Sequence, residues 1–121
     1  MMRHWMAAIL LCLAAAPAHA QQTVSPAEGN WACTALIDGT KAGLLTIFGG
    51  SYAYASANFG STASGVGAAE LATDGVTFVD GNLTTVGITV GLVSFDANGV
   101  DTLTLYTPVK PILACTRRGS R

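Results

Sequence analysis

The chain has 121 residues, half of them hydrophobic, with six basic side chains against seven acidic ones. A chain of this length forms a single domain. Its sparse, nearly balanced charge gives no basic stripe for a nucleic-acid backbone, which excludes nucleic-acid-binding proteins as a class.

The first twenty residues have the three parts of a secretory signal peptide. A cationic start at Arg3 precedes an apolar run from Met6 to Ala16, and the segment ends in small residues that include Ala18 and Ala20. The apolar run is shorter than the roughly 20 residues that a membrane-spanning helix needs. We therefore expect cleavage after Ala20, with residues 1–20 removed, and a periplasmic or secreted protein without a transmembrane anchor.

Cleavage at this point removes both histidines of the chain, His4 and His19. The exported form then has no imidazole to act as a general base at neutral pH or as a metal ligand. Most of the seven carboxylates stand at turns, where aspartate bonds to the local backbone. The sequence predicts a protein that is not an enzyme and that has no cofactor and no metal site.

The exported part divides into three segments. Residues 21–28 are polar and contain Pro26, so we expect a flexible leader. One folded domain covers residues 29–118, and residues 119–121 form a basic tail.

Within the domain, short runs rich in Thr, Val, Ile, Leu and aromatic residues alternate with glycine-containing turn dipeptides. Such dipeptides supply the positive φ angles of tight hairpins. They predict eight antiparallel strands, at 31–36, 42–48, 52–57, 68–73, 76–79, 88–95, 100–106 and 112–116. This pattern favours an all-β fold, a small antiparallel β-barrel in meander order, with a β-sandwich as the second choice.

The strand pattern is weakest in one segment of the domain and clearest in another. The glycine-rich stretch from Asn58 to Gly67 is either a long open loop or a poorly defined edge strand, because glycine weakens strand interiors. The alternation around Leu103 and Leu105 is the clearest in the chain and predicts that both leucines face the same side.

Three aromatic residues are candidates for ligand binding. Tyr52 and Tyr54 lie two positions apart and share one face of their strand, and Phe59 follows in the glycine-rich stretch. On the inner wall of a barrel, the two tyrosines would suit an apolar ligand with a polar handle. On the outer face they would form only a surface ladder, and the sequence leaves both possibilities open.

Cys33 and Cys115 are the two cysteines that remain after cleavage, and they lie near opposite ends of the domain. Disulfides are common in small exported domains. We expect a Cys33–Cys115 disulfide that ties the first strand to the last.

The sequence Gly29-Asn30-Trp31, with Arg117 and Arg118 at the other end of the domain, resembles the calycin arrangement of lipocalins and avidins. In that superfamily, the tryptophan of a Gly-x-Trp motif packs beneath an arginine from the end of the chain. The resemblance implies a barrel whose base is closed by Trp31 and by Arg117 or Arg118, which makes these residues structural.

The chain also resembles a group of small secreted bacterial proteins that carry no assigned activity. The pattern they share is Gly-x-aromatic-x-Cys, then Gly-x-Leu-Thr-Ile-x-Gly-x-x-Tyr, then Cys-x-Arg. The matching residues here are Gly29, Trp31, Cys33, Gly43 to Ile47, Gly49, Tyr52, Cys115 and Arg117. This resemblance supports the fold and implies no activity.

Two functions fit these observations. The first is a non-catalytic barrel that binds a small apolar molecule or a glycan, and it predicts an internal cavity. The alternative is an envelope interaction protein, such as a protease-inhibitor-like barrel that acts on a protein partner. It predicts a filled core and an exposed apolar patch around Tyr52 and Phe59. The sequence does not predict an oligomeric state.

Overall fold

The computed structural model of the protein describes residues 25–58, 61–95 and 97–118. Residues 1–20, predicted as a signal peptide, Phe59 and the predicted tail at 119–121 lie outside the described residues. The described chain forms eight strands and one helical turn, α1. These are β1 Gly29–Ala35, β2 Lys41–Phe48, β3 Ser51–Ser56, β4 Gly65–Leu71, β5 Gly75–Phe78, α1 Asn82–Thr85, β6 Val90–Phe95, β7 Asp101–Tyr106 and β8 Pro111–Arg117.

Each strand pairs antiparallel with the next strand in the chain, and β8 pairs with β1 to close a barrel. This confirms the predicted all-β antiparallel barrel in meander order, rather than the sandwich. Closure gives each of the described strands a hydrogen-bonded neighbour on both sides, so no free sheet edge remains among them. At the seam between β1 and β8, Trp31 lies opposite Arg117 and Cys33 lies opposite Cys115.

Side chains alternate between the barrel interior and the outside, as the pleat of a β-strand requires. In β7, Leu103 and Leu105 both point inward and are fully buried, which confirms the predicted alternation. Leu83 of α1 is also fully buried and covers the end of the barrel at which β5 ends and β6 begins. The remaining buried core residues are Ala27, Trp31, Cys33, Leu45, Ile47, Tyr52, Tyr54, Ala69, Val76, Phe78, Ile88, Leu113 and Cys115.

Strand β4 begins at Gly65, ahead of the predicted start at Ala68. Gly65 pairs with Tyr54 and Gly67 pairs with Tyr52, so residues 65–67 belong neither to an open loop nor to an edge strand. The expectation for this part of the glycine-rich stretch was therefore wrong. A Cβ atom on Gly67 would lie 2.6 Å from Cε1 of Tyr52, which shows that the tyrosine ring occupies the space beside the glycine. The cross-strand aromatic ring offsets the weakness of glycine within a strand.

The hairpin turns contain the predicted glycines. Gly39, between β1 and β2, has a φ of 75°, and Gly49, between β2 and β3, has a φ of 59°. Both angles lie in the left-handed region that favours glycine. Within the described ranges, no helix is long and apolar enough to cross a membrane.

The last residues of the predicted leader, 25–28, contact the barrel. Ala27 is fully buried, and its carbonyl oxygen accepts a 2.8 Å hydrogen bond from Nε1 of Trp31. The Ser25 hydroxyl donates to the carbonyl oxygen of Ala72 at 2.8 Å. These contacts place the segment across the end of the barrel at which β1 begins.

Candidate functional site

The two tyrosines predicted as ligand contacts lie on the inner wall of the barrel. Both Tyr52 and Tyr54 are buried and belong to the hydrophobic core. Their rings fill interior space beside two glycines, since a Cβ atom on Gly43 would lie 2.6 Å from the Tyr54 hydroxyl oxygen, and Gly67 is covered by Tyr52 in the same way. Of the two orientations that the sequence left open, the structure places the pair inside.

The Tyr52 hydroxyl group forms two hydrogen bonds within the protein. It donates to the carbonyl oxygen of Asp80 at 2.8 Å and accepts from the backbone N–H of Leu83 at 3.0 Å. The ring also meets Phe78 edge to face, with the ring centroids 5.1 Å apart. The polar handle of Tyr52 therefore anchors the connection between β5 and α1, which covers one end of the barrel.

Burial changes the acidity of both phenols. Desolvation raises the pKa of Tyr52, and the negative charge of Asp80 raises it further, while the hydrogen bond from Leu83 opposes the shift. Desolvation also raises the pKa of Tyr54. Both groups are therefore neutral at neutral pH and act there as packed, uncharged side chains.

At the opposite end of the barrel, Arg117 connects four parts of the chain. Its guanidinium carbon lies 4.2 Å from the centroid of the Trp31 ring. Its Nε donates to a carboxylate oxygen of Asp101 at 2.8 Å, and its terminal nitrogens donate to the carbonyl oxygens of Glu28 at 2.6 Å and Pro26 at 2.5 Å. Of the two arginines that the calycin resemblance offered, Arg117 is the one that covers the indole.

The Cys33–Cys115 disulfide joins β1 to β8 across the seam of the barrel. Both cysteines point inward and are buried, and they lie 82 positions apart in the sequence. The predicted pairing is therefore present in the structure. It links the two strands whose pairing closes the barrel.

The largest exposed apolar side chains on one side of the barrel lie on β2 and β4. Phe48 is 77% exposed and Val66 is 70% exposed. They flank a shallow depression of about 580 Å³ on the outer wall. We call this surface the β2–β4 face; it is lined by Thr46, Phe48, Ser51, Tyr52, Ala53, Val66, Gly67, Ala68 and Asp80.

The strand register explains the shape of the β2–β4 face. Ala53 lies between Thr46 on β2 and Val66 on β4, so a small side chain occupies the middle of one row. Ser51 lies in the same way between Phe48 and Ala68 in the next row. Ala53 and Ser51 are small, and the larger side chains of Thr46, Phe48 and Val66 stand beside them. They leave a depression whose lining carries a single charged residue, Asp80.

Most of this face was not predicted as a site. The sequence placed an exposed apolar patch around Tyr52 and Phe59, but the Tyr52 side chain is buried, and Phe59 lies outside the described residues. In β2, apolar residues stand at consecutive positions, so the period-two signal that would turn Phe48 outward is weak.

Four of the described carboxylates accept hydrogen bonds from backbone N–H groups or from Arg117: Glu28, Asp38, Asp80 and Asp101. The carboxylate of Asp80 accepts from the backbone N–H of Ala68 at 2.8 Å, and that of Asp38 accepts from the backbone N–H of Thr40 at 3.0 Å. In the part of the chain that the structure describes, no three or more His, Cys, Asp and Glu side chains are grouped to hold a metal ion.

Comparisons with known proteins add no relative. No family model, curated protein or solved structure matches the chain.

Proposed function

We propose that the protein is an exported, non-catalytic barrel that recognises a protein partner with its β2–β4 face. The observation that carries this proposal is the contrast between the inside and the outside of the barrel. Tyr52 and Tyr54 are buried in the core, whereas Phe48 and Val66 stand exposed beside a depression whose lining carries a single charged residue, Asp80. The side chains that were candidates for an internal ligand site serve packing, so recognition falls to the outer wall.

The closed sheet limits how a partner can bind. Peptides often bind by adding a strand to an exposed sheet edge, and the described strands of this barrel are all paired on both sides. A partner therefore binds through side chains rather than through a backbone ladder. An apolar centre with a polar rim, as between Val66 and Asp80, is the usual make-up of a protein interface.

Export and a calycin-like ancestry belong to the same proposal. The N-terminal pattern of residues 1–20 supports export, as does the Cys33–Cys115 disulfide, because disulfides persist in oxidising compartments. The meander barrel with Arg117 over Trp31 supports a place among calycin-like barrels.

A small apolar molecule or a glycan fragment is the second candidate ligand. The depression beside Phe48 has a volume within the range of small-molecule sites. In this case the ligand binds on the outer wall, beside Phe48 and Val66, and not inside the barrel.

The first experiment is native mass spectrometry of the protein recovered gently after export from its own host. The denatured mass also reports where the chain begins and whether the disulfide has formed. A photo-crosslinking amino acid at Val66 then identifies what touches the β2–β4 face. The same amino acid at Leu92, which is exposed on β6, serves as the control position.

The variant Ala53→Glu places a charge in the centre of the β2–β4 face, and Thr104→Glu places the same charge on β7, away from that face. We expect one defined partner protein to crosslink at position 66, to be lost in A53E and to be retained in T104E. A small bound mass that A53E removes would favour the second candidate. Equal crosslinking at positions 66 and 92, or binding that A53E leaves intact, would refute the β2–β4 face as the site.

A further inference from the structure

A second exposed apolar feature lies at the tips of two neighbouring loops. The β1–β2 loop, 36–40, carries Ile37, which is 90% exposed, and the β7–β8 loop, 107–110, carries Val109, which is 87% exposed. The loops meet at one end of the barrel because the end of β1 pairs with the start of β8. The backbone N–H of Leu36 donates to the carbonyl oxygen of Ile112 at 3.0 Å, which fixes one loop beside the other. We call this surface the Ile37–Val109 tip.

Both loops hold these side chains outward in defined turns. In the β1–β2 loop, the N–H of Gly39 donates to the carbonyl oxygen of Ala35 at 2.8 Å, and the Asp38 carboxylate accepts from Thr40.

In the β7–β8 loop, the Thr107 hydroxyl oxygen accepts from the N–H groups of Val109 and Lys110, both at 3.2 Å. A side chain displayed by an ordered turn loses little further conformational entropy when it inserts into an apolar phase.

The charges around this tip are mainly positive. The chain has two lysines, Lys41 and Lys110, and both border these two loops. The anionic group in the same loops is Asp38, whose carboxylate bonds to the backbone and hydroxyl groups of Thr40. Lys110 lies next to Val109 in the β7–β8 loop, and Lys41 directly follows the β1–β2 loop that carries Ile37.

We propose that the Ile37–Val109 tip docks the protein onto an anionic phospholipid surface, with the two apolar side chains entering the interface and the two lysines meeting lipid phosphates. Interfacial anchors combine apolar insertion with Lys or Arg attraction to anionic lipid in this way. This inference goes beyond the proposed function and uses a different surface, since Phe48 lies at the end of β2 far from Lys41.

The test is co-sedimentation of the exported protein with vesicles of phosphatidylcholine alone and with vesicles of equal parts phosphatidylcholine and phosphatidylglycerol. We expect binding to the mixed vesicles and not to the neutral ones. The double variant Lys41→Gln/Lys110→Gln weakens the apparent affinity for mixed vesicles by roughly thirtyfold. The double variant Ile37→Ser/Val109→Ser abolishes sedimentation. All variants have the same N-terminus, so a difference in sedimentation between them is due to the substituted residues of the Ile37–Val109 tip.

Phe48→Ser is the matched control because it removes another largely exposed apolar side chain, one that belongs to the β2–β4 face. We expect Phe48→Ser to retain vesicle binding and to reduce capture of the partner protein. We expect the loop variants to lose vesicle binding and to retain capture of the partner protein. Circular dichroism checks that every variant is folded. The proposal is overturned if the wild-type protein sediments with neither vesicle or with both alike, if the loop variants bind as the wild type does, or if size-exclusion chromatography shows that I37S/V109S turns an oligomer into a monomer.

Discussion

Arg117 lies over the indole of Trp31, with its guanidinium carbon 4.2 Å from the ring centroid. The two residues are direct cross-strand partners on β8 and β1, so this contact forms only when the barrel closes. The same arginine bonds to Asp101 and to the backbone of residues 26 and 28. One side chain therefore stabilises the seam, the start of β7 and the segment that precedes β1.

We expect Arg117→Met to lower the free energy of unfolding by about 2 to 4 kcal/mol, because it removes a cation–π contact and several charge-assisted hydrogen bonds. Urea denaturation followed by tryptophan fluorescence measures the change. Arg118→Met is the control, since the Arg118 side chain is exposed, and we expect a change within about 0.5 kcal/mol. Equal effects of the two substitutions would contradict the role assigned to Arg117.

Removal of the disulfide by Cys33→Ala/Cys115→Ala should lower the free energy of unfolding by up to about 4 to 5 kcal/mol, since the bond closes a long loop in the unfolded chain. Reduction of the wild-type protein should have a similar effect and should leave the double variant unchanged. Urea titrations with and without reductant provide the measurement. A reduced wild type as stable as the oxidised one would show that the seam holds without the bond.

Gly67→Ala should destabilise the barrel by about 1 to 3 kcal/mol, because the new methyl group overlaps the carbonyl oxygen of Asp80 and the Tyr52 ring. The control is Gly50→Ala, at which the nearest atom to a Cβ would be the carbonyl oxygen of Ala69, at an ordinary 3.7 Å. Thermal unfolding by circular dichroism compares the two. Similar melting temperatures for both variants would mean that neither the Asp80 carbonyl nor the Tyr52 ring packs tightly against Gly67.

Tyr52→Phe should cost about 1 to 3 kcal/mol, because it leaves the buried N–H of Leu83 without its hydroxyl partner. Hydrogen exchange at the Leu83 amide gives a local readout, and we expect faster exchange there than in the wild type. Tyr54→Phe keeps the ring and serves as the comparison. An unchanged Leu83 exchange rate in Y52F would argue against the hydrogen bond.

Stability should fall at alkaline pH. Burial raises the pKa of Tyr54, so the folded state holds the phenol proton more tightly than the unfolded state does. This contribution is present in full below the ordinary tyrosine pKa of about 10 and is lost as the pH rises through the folded-state pKa. Urea midpoints measured across this range should fall, and they should fall less in Y54F. If the urea midpoint fell by the same amount at alkaline pH in the wild type and in Y54F, the result would contradict this account.

The sequence alone predicted the all-β class, the order of the strands and the Cys33–Cys115 pairing. These features depend on local patterns: turn glycines such as Gly39, the alternation around Leu103, and two cysteines that can combine in only one way if Cys12 leaves with the predicted signal peptide. Local conformational preferences act over a few residues, so a single sequence displays them. The spacing of Tyr52 and Tyr54 placed both on one face of their strand, but it did not tell whether that face is inside or outside the barrel.

The tertiary structure decided which side of the sheet is the inside and which residues remain exposed. Closing the barrel turned Tyr52 and Tyr54 inward, drew residues 65–67 into β4 and left Phe48 and Val66 on the outer wall. Pairing of β8 with β1 also chose Arg117 over Arg118 for the indole of Trp31. These outcomes depend on contacts between residues far apart in the chain, and local sequence patterns carry little information about such contacts.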